Sequence, residues 1–145
     1  MKLVLDSIIF ISAFYWGGKP QKILDRVVLG LDELYITNAI FDEIAEVMLR
    51  PNFKTPPQII DAYIKAIEKT GKKIFMSGEI TGICRDKDDD AIIECGILSS
   101  ADYLITGDND LLVLEKYQGM KILSANEYLH IIHEESCEIP TGGKK

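Results

Sequence analysis

The chain has 145 residues, 47% of them hydrophobic and 27% charged, with a formal net charge of −7. That is the length of one domain with its own core and the composition of an ordinary soluble globular protein. No apolar stretch has membrane-spanning length, there is no repeat or low-complexity run, and the acidic balance argues against a generic nucleic-acid coat protein.

Lys2–Leu5 (KLVL) reads as a first strand that ends at Asp6. The stretch MKLVLDSIIFISAFYW has a single lysine, Asp6 interrupts its apolar run and no small-residue cleavage site follows. It therefore reads as a strand and the helix behind it, and not as a leader. Pro20–Leu29 reads as a helix, with Pro20 in the first turn and Gly30 as the stop. Glu33–Ile36 (ELYI) is a second strand, after which Thr37 and Asn38 cap a helix over Ala39–Leu49 that stops before Pro51. Pro56 and Pro57 open a helix to about Thr70, and Lys73–Met76 (KIFM) is a short strand.

The stretch CRDKDDDAIIECG follows, with Asp86, Asp88, Asp89 and Asp90 crowded ahead of a helix over Ala91–Ser100. Tyr103–Ile105 (YLI) is a strand ending in Thr106-Gly107-Asp108. A short helix over Asp110–Lys116 and a strand over Met120–Leu123 come next, and Ser124 caps a closing helix through about His133. Residues 134–145 read as a flexible tail behind a single domain of residues 1–133. Strands that alternate with helices and run apolar without alternation predict an α/β fold: a three-layer α/β/α sandwich with a mostly parallel sheet.

In such sheets ligands bind beyond the carboxyl ends of the strands. Asp6 stands there after the first strand, and Glu43 follows Thr37-Asn38 by about a turn and a half. Asp90 precedes the helix feeding the YLI strand, and Thr106, Asp108 and Asp110 follow that strand. Each has a bland reading: Asp6 or Asp90 as a helix cap, Glu43 as a surface residue beside Asp42 and Glu46, and TGDND as a polar turn. The repetition of acid at one edge is what those readings leave unexplained. Asp6, directly after an apolar strand, is the hardest to place in a core.

Carboxylates gathered at one edge need a counter-cation, and hard divalent ions such as Mg²⁺ or Mn²⁺ take oxygen ligands of this kind. No histidine lies near that edge, which disfavours zinc. Such an ion activates water against a phosphodiester without a nucleophilic Ser, Cys or His. Charge held by cations also loosens the argument from net charge. Asp90 is the metal candidate of its stretch, whereas Asp86, Asp88 and Asp89 form a solvated turn that supports the helix start.

LVLD at 3–6, AIFDEIAEVMLRPNF at 39–53, CRDKDDDAIIECG at 84–96 and DYLITGDNDLL at 102–112 resemble, in order and spacing, the PIN-domain proteins. The similarity extends to about residue 130 and is strongest for the VapC-like toxins of toxin–antitoxin systems. Its most specific part is TGD, whose acid falls eighteen residues after Asp90. The resemblance implies a Mg²⁺- or Mn²⁺-dependent endoribonuclease whose catalytic acids fall on Asp6, Glu43, Asp90 and Asp108. Asp110 matches an accessory acid, and Thr106 the hydroxyl that supports the cluster. It also implies RNA as substrate, a small antitoxin partner and a homodimer. The family's Asp-Thr-Asn is Asp6-Ser7-Ile8 here, so the hydroxyl is kept at Ser7 and the orienting amide is lost at Ile8.

A receiver domain would need a lysine after the last strand, which ends Leu123-Ser124 instead, and a dehalogenase-type phosphatase would need D-x-D at the first strand. No glycine-rich phosphate loop is present. The alternative from a different class is a degenerate domain of the same fold that binds RNA or protein without cutting. Lys19, Arg50, Lys54, Arg85 and Lys87 either guide phosphates or are plain solubilising residues. Phe14, Tyr15 and Trp16 are either core packing or an interface. Cys84, Cys95 and Cys137, odd in number and without C-x-x-C spacing, fit a reduced, cytoplasmic protein. His130, His133 and Cys137 read as incidental residues of an amphipathic helix.

Overall fold

A computed structural model describes residues 1–74 and 87–138, with side chains for 1–74 and 90–133. Strand β1 (Lys2–Leu5) passes through Asp6 into α1 (Ser7–Trp16) and α2 (Gly18–Val28). Then β2 (Glu33–Ile36) leads into α3 (Asn38–Met48), a 3-10 turn (Pro51–Phe53) and α4 (Pro57–Thr70), which runs directly into β3 (Gly71–Lys73). The rest is α5 (Lys87–Ser99), β4 (Tyr103–Ile105), the one-turn α6 (Asn109–Leu112), β5 (Lys116–Tyr117), β6 (Met120–Leu123) and α7 (Ala125–Glu138).

The sheet order is β3-β2-β1-β4-β6-β5, parallel except for β5, which runs antiparallel to β6. The chain steps outward from β1 to β3, then returns past β1 to β4. With right-handed crossovers, that reversal puts α5 on the face opposite α1 to α4. Helix α5 lies across β1, β2 and β4, and α7 packs on β6 and back against α2. This is the expected three-layer sandwich. Leu3, Val4, Leu5, Leu34, Leu104 and Ile105 are fully buried, as strands covered on both faces require.

Four elements differ from the sequence reading. Strand β3 covers Gly71–Lys73 and not Lys73–Met76, because α4 and β3 join without a loop. Gly71 makes that junction: a Cβ there would stand 3.2 Å from Ile36 Cγ2 and 3.4 Å from the Ile67 carbonyl. Phe75 and Met76 lie outside the described residues. Helix α5 starts at Lys87, four residues before Ala91. Asp90 therefore sits inside its first turn, where the helix dipole favours acids, and is not a cap.

The helix expected over Asp110–Lys116 is one turn, Asn109–Leu112, followed by a two-residue strand. Gln118 and Gly119, at φ 48° and 88°, form the tight turn of that β5–β6 hairpin. Finally, α7 continues past His133 to Glu138; the rest of the expected tail, 139–145, lies outside the described residues. Ser124 does start this helix as expected. Its hydroxyl accepts from the Glu127 amide at 3.1 Å, and Glu127 Oε1 accepts from the Ser124 amide at 3.0 Å.

At the opposite edge of the sheet from the acids, Asp32 is completely enclosed. Arg26 Nε donates to it at 2.9 Å, the Tyr128 hydroxyl at 2.8 Å and the Met1 amino nitrogen at 3.3 Å. One carboxylate thus ties α2, the entry to β2, β1 and α7 together, while burial and the neighbouring Asp32 push the Tyr128 hydroxyl far above its usual range. Removing it would strand a half-buried guanidinium and a buried hydroxyl. Asp32→Ala is expected to cost about 3–5 kcal/mol in urea unfolding, and a loss below about 1 kcal/mol would contradict this role.

Candidate functional site

The strand order reverses between β1 and β4, so their carboxyl ends open the crevice where ligands bind in such sheets. Backbone pairing holds both ends in register: the Asp6 amide donates to Ile105 O at 3.0 Å, and the Thr106 amide to Leu123 O at 2.9 Å. Asp6 occupies the N-cap position of α1, yet its side chain makes no capping hydrogen bond. It accepts instead from the fully buried Thr106 hydroxyl, at 2.7 Å. That hydroxyl also accepts from the Asp108 amide at 3.0 Å, which leaves its own proton for Asp6. The two hydrogen bonds fix one carboxylate oxygen in place.

Ser7 does the same for Glu43. Its hydroxyl lies 2.6 Å from Glu43 Oε1 and 3.4 Å from Asp6 Oδ1. With one proton to give, it donates to Glu43 and stands beside Asp6. The pattern of α3 explains the choice of acid. Ile40, Phe41, Ile44 and Met48 face the core, which leaves Glu43 half-buried at the border while Asp42 and Glu46 are exposed. The expected Thr37 cap sets this register, accepting from the Ile40 amide at 3.3 Å.

Burial is the chief reason that the Asp6 carboxyl lies above its ordinary pKa of 3.8. The Thr106 hydroxyl and the Ser7 amide and hydroxyl oppose that shift, whereas the nearby charge of Asp108 adds to it. Asp108 itself caps α6, accepting from the Asp110 amide at 2.9 Å, so that its bland reading holds alongside its place next to Asp6. Asp90 is 5% exposed in the first turn of α5. Its neighbours Ala91 and Ile92 line a groove of about 420 Å³ together with Glu43.

The structure thus joins Asp6, Ser7, Glu43, Thr106 and Asp108 through hydrogen bonds and charge. Asp90 stands in the helix across the groove, and the Asp110 amide is tied to the group by donating to Asp108. Asp86 and Arg85 lie outside the described residues, as do the side chains of Lys87, Asp88 and Asp89. Lys19 is occupied with Asn126 at 2.5 Å. One acid was missed. Glu94, a turn beyond Asp90, is 2% exposed, and the charge inside the apolar run IIECGI was its signal. Its charge is the smaller reason, after burial, that the Cys95 thiol is pushed up to about 12.

As a donor set these groups fit a hard divalent cation, since they offer carboxyl oxygens, oriented by hydroxyls, with no nitrogen or sulfur. Among the described residues no three His, Cys, Asp or Glu side chains form a group able to hold an ion in this arrangement. Among them, too, no helix is long and apolar enough to cross a membrane.

Residues 2–110 match the family model described as the PIN domain. No curated protein matches the chain. Among solved structures it is similar to a chain in the crystal structure of VapBC2 from Rickettsia felis bound to a DNA fragment from their promoter. The TM-score is 0.60 at 12% identity, covering 86% of this chain and 98% of that one. At that identity the likeness concerns the fold.

Because folding raises the Asp6 pKa above 3.8, the folded protein keeps a proton there that the unfolded chain has already released. Stability attributable to Asp6 is therefore lost as pH rises through that window, and ionised Asp6 opposes folding above it. Asp6→Asn is expected to melt higher than the wild type at pH 7 without divalent ions, with the gap narrowing toward pH 4. An equal or lower melting temperature at pH 7 would refute this account.

Proposed function

This chain belongs to the PIN domain family, and from that premise we propose that it is a divalent-cation-dependent endoribonuclease, the toxin of a toxin–antitoxin pair. The observation that carries the reading is the Asp6 carboxylate. It sits at the sheet's switch point with its cap duty unmet, oriented by Thr106 and burdened by the charge of Asp108. A structural aspartate gains nothing from that placement, whereas a cation ligand does.

Asp6, Glu43, Asp90 and Asp108 would hold Mg²⁺ or Mn²⁺, with Asp110 beside them. Such an ion, when bound, supplies an activated water and neutralises charge on a phosphodiester. Ser7 and Thr106 aim Glu43 and Asp6 by donating to them, and the Thr106 bond opposes the rise that burial imposes on the Asp6 carboxyl. The acid-only donor set leaves proton handling at the leaving oxygen to water. The toxin assignment draws on the sequence motifs and on the fold shared with the Rickettsia felis VapBC2 chain. A small antitoxin covering the acids, a homodimer and a cytoplasmic location complete the reading.

Calorimetric titration with Mn²⁺ tests it. Wild type should bind, with stability rising by about 2.7 kcal/mol at an ion concentration 100 times the Kd, and Asp6→Asn and Asp90→Asn should not. Wild-type protein should then cut a single-stranded RNA only when Mn²⁺ or Mg²⁺ is added. Metal binding that ignores both substitutions would sink the proposal.

One feature favours the second reading, a binding module with little activity. Ile8 stands where the family pattern has an amide; its side chain is 41% exposed and its Cγ2 is within 3.8 Å of where a Gly107 Cβ would be. The position therefore faces the site but offers it no polar group. Restoring the amide with Ile8→Asn should raise the cleavage rate about 10–100-fold, the usual worth of one orienting partner. No gain would mean that Ile8 is a neutral departure.

A further inference from the structure

Resting on the ribonuclease reading, we propose that single-stranded RNA leaves the acidic edge along α3, with a phosphate held by Arg50 and a base stacked on Trp16. The groove between α3 and α5 begins at Thr37 and Glu43 and ends at Arg50, with Ile40, Val47 and Ile92 among its walls. Glu43 stands in the middle of α3 and Arg50 just past its end, and both line the groove. Among the described residues Arg50 is the only cation lining the groove, and its guanidinium makes no ion pair or hydrogen bond with any of them. The carboxylates of Asp42 and Glu46 repel phosphate elsewhere along the wall. A strand can therefore place a phosphate at this fork, where bidentate contact is available.

Beyond Arg50 the track turns aromatic. Phe53, whose amide donates to Arg50 O at 3.1 Å, stacks on Tyr15 at 4.4 Å and 13°, and Trp16 meets its edge at 6.5 Å. Tyr15 is fixed by a 2.5 Å hydrogen bond with the Thr55 hydroxyl. Phe14 and Tyr15 are thus packing residues, but Trp16 is 70% exposed on a rigid base. An exposed indole next to a lone guanidinium suits an unpaired base and its phosphate, since every base has a stacking face. A duplex hides its bases and brings a second row of phosphates to the acidic wall.

Trp16 is the only tryptophan, so its fluorescence reports the track directly. The full chain is titrated, in EDTA to prevent cutting, with a fluorescein-labelled single-stranded octaribonucleotide at several salt concentrations. Tryptophan quenching and fluorescein anisotropy are followed together. Both signals should give one Kd for wild type. Arg50→Gln should lower the slope of log K against log salt by about 0.7, the share of one phosphate on a single strand. Trp16→Leu should weaken binding about tenfold with the slope unchanged, and Lys65→Gln, on α4, should change neither. RNA binding without quenching and with the wild-type slope in Arg50→Gln would overturn the track while leaving the nuclease reading standing. Emission that depends on protein concentration and ignores RNA would assign Trp16 to a protein contact instead. Failure of wild type to bind any RNA, together with no Mn²⁺ binding, would remove the nuclease reading and the track with it.

Discussion

The Thr106–Asp6 hydrogen bond is the constraint around which this molecule is arranged. A carboxylate at the end of a buried strand is costly unless something donates to it. Thr106 does so from the neighbouring strand, and the Asp108 amide fixes which way its proton points. Both residues depend on the parallel pairing of β1 with β4, which exists only because the chain reverses direction across the sheet. The topology creates the crevice, and one hydroxyl makes an acid tolerable in it.

Tolerable is not comfortable. Burial and the charge of Asp108 still raise the Asp6 carboxyl above its ordinary value, so the acidic edge works against folding at neutral pH. The opposite edge compensates. There Asp32 meets a guanidinium, a phenol and an amine, all directed at a carboxylate that no solvent reaches. Asp32 and Asp6 thus have opposite surroundings: one meets a guanidinium, an amine and a phenol, the other hydroxyls and like charge. That contrast separates the structural acid from the functional candidate.

Much of this was legible in the sequence because its signals are local. The apolar runs KLVL, ELYI, YLI and MKIL mark strands where the structure has them, and Thr37 and Ser124 mark helix starts by cap chemistry. The acids at the strand ends follow from topology alone. What escaped depends on contacts between elements. The early start of β3 rests on Gly71 fitting against Ile36, and the β5–β6 hairpin on the two left-handed residues Gln118 and Gly119. Asp32 carries no local signal, since its partners Arg26 and Tyr128 are 6 and 96 positions away. Glu43 was separated from Asp42 and Glu46 by family pattern; in the structure the separation is physical, by contact with Ser7.

A net charge of −7 is the remaining tension, for a polyanion gains little by approaching such a surface. The resolution is local. The acids concentrate at the switch point, where a divalent ion would reverse the sign that a phosphate meets. Away from that point the groove wall stays negative past Asp42 and Glu46 until Arg50. A surface of this kind disfavours sliding contact with nucleic acid in general, because counterion release needs many cations and, among the described residues, this groove supplies one. Selectivity would then come from repulsion as much as from attraction: only a strand that seats a phosphate on the guanidinium and a base on Trp16 recovers what the acidic wall costs it.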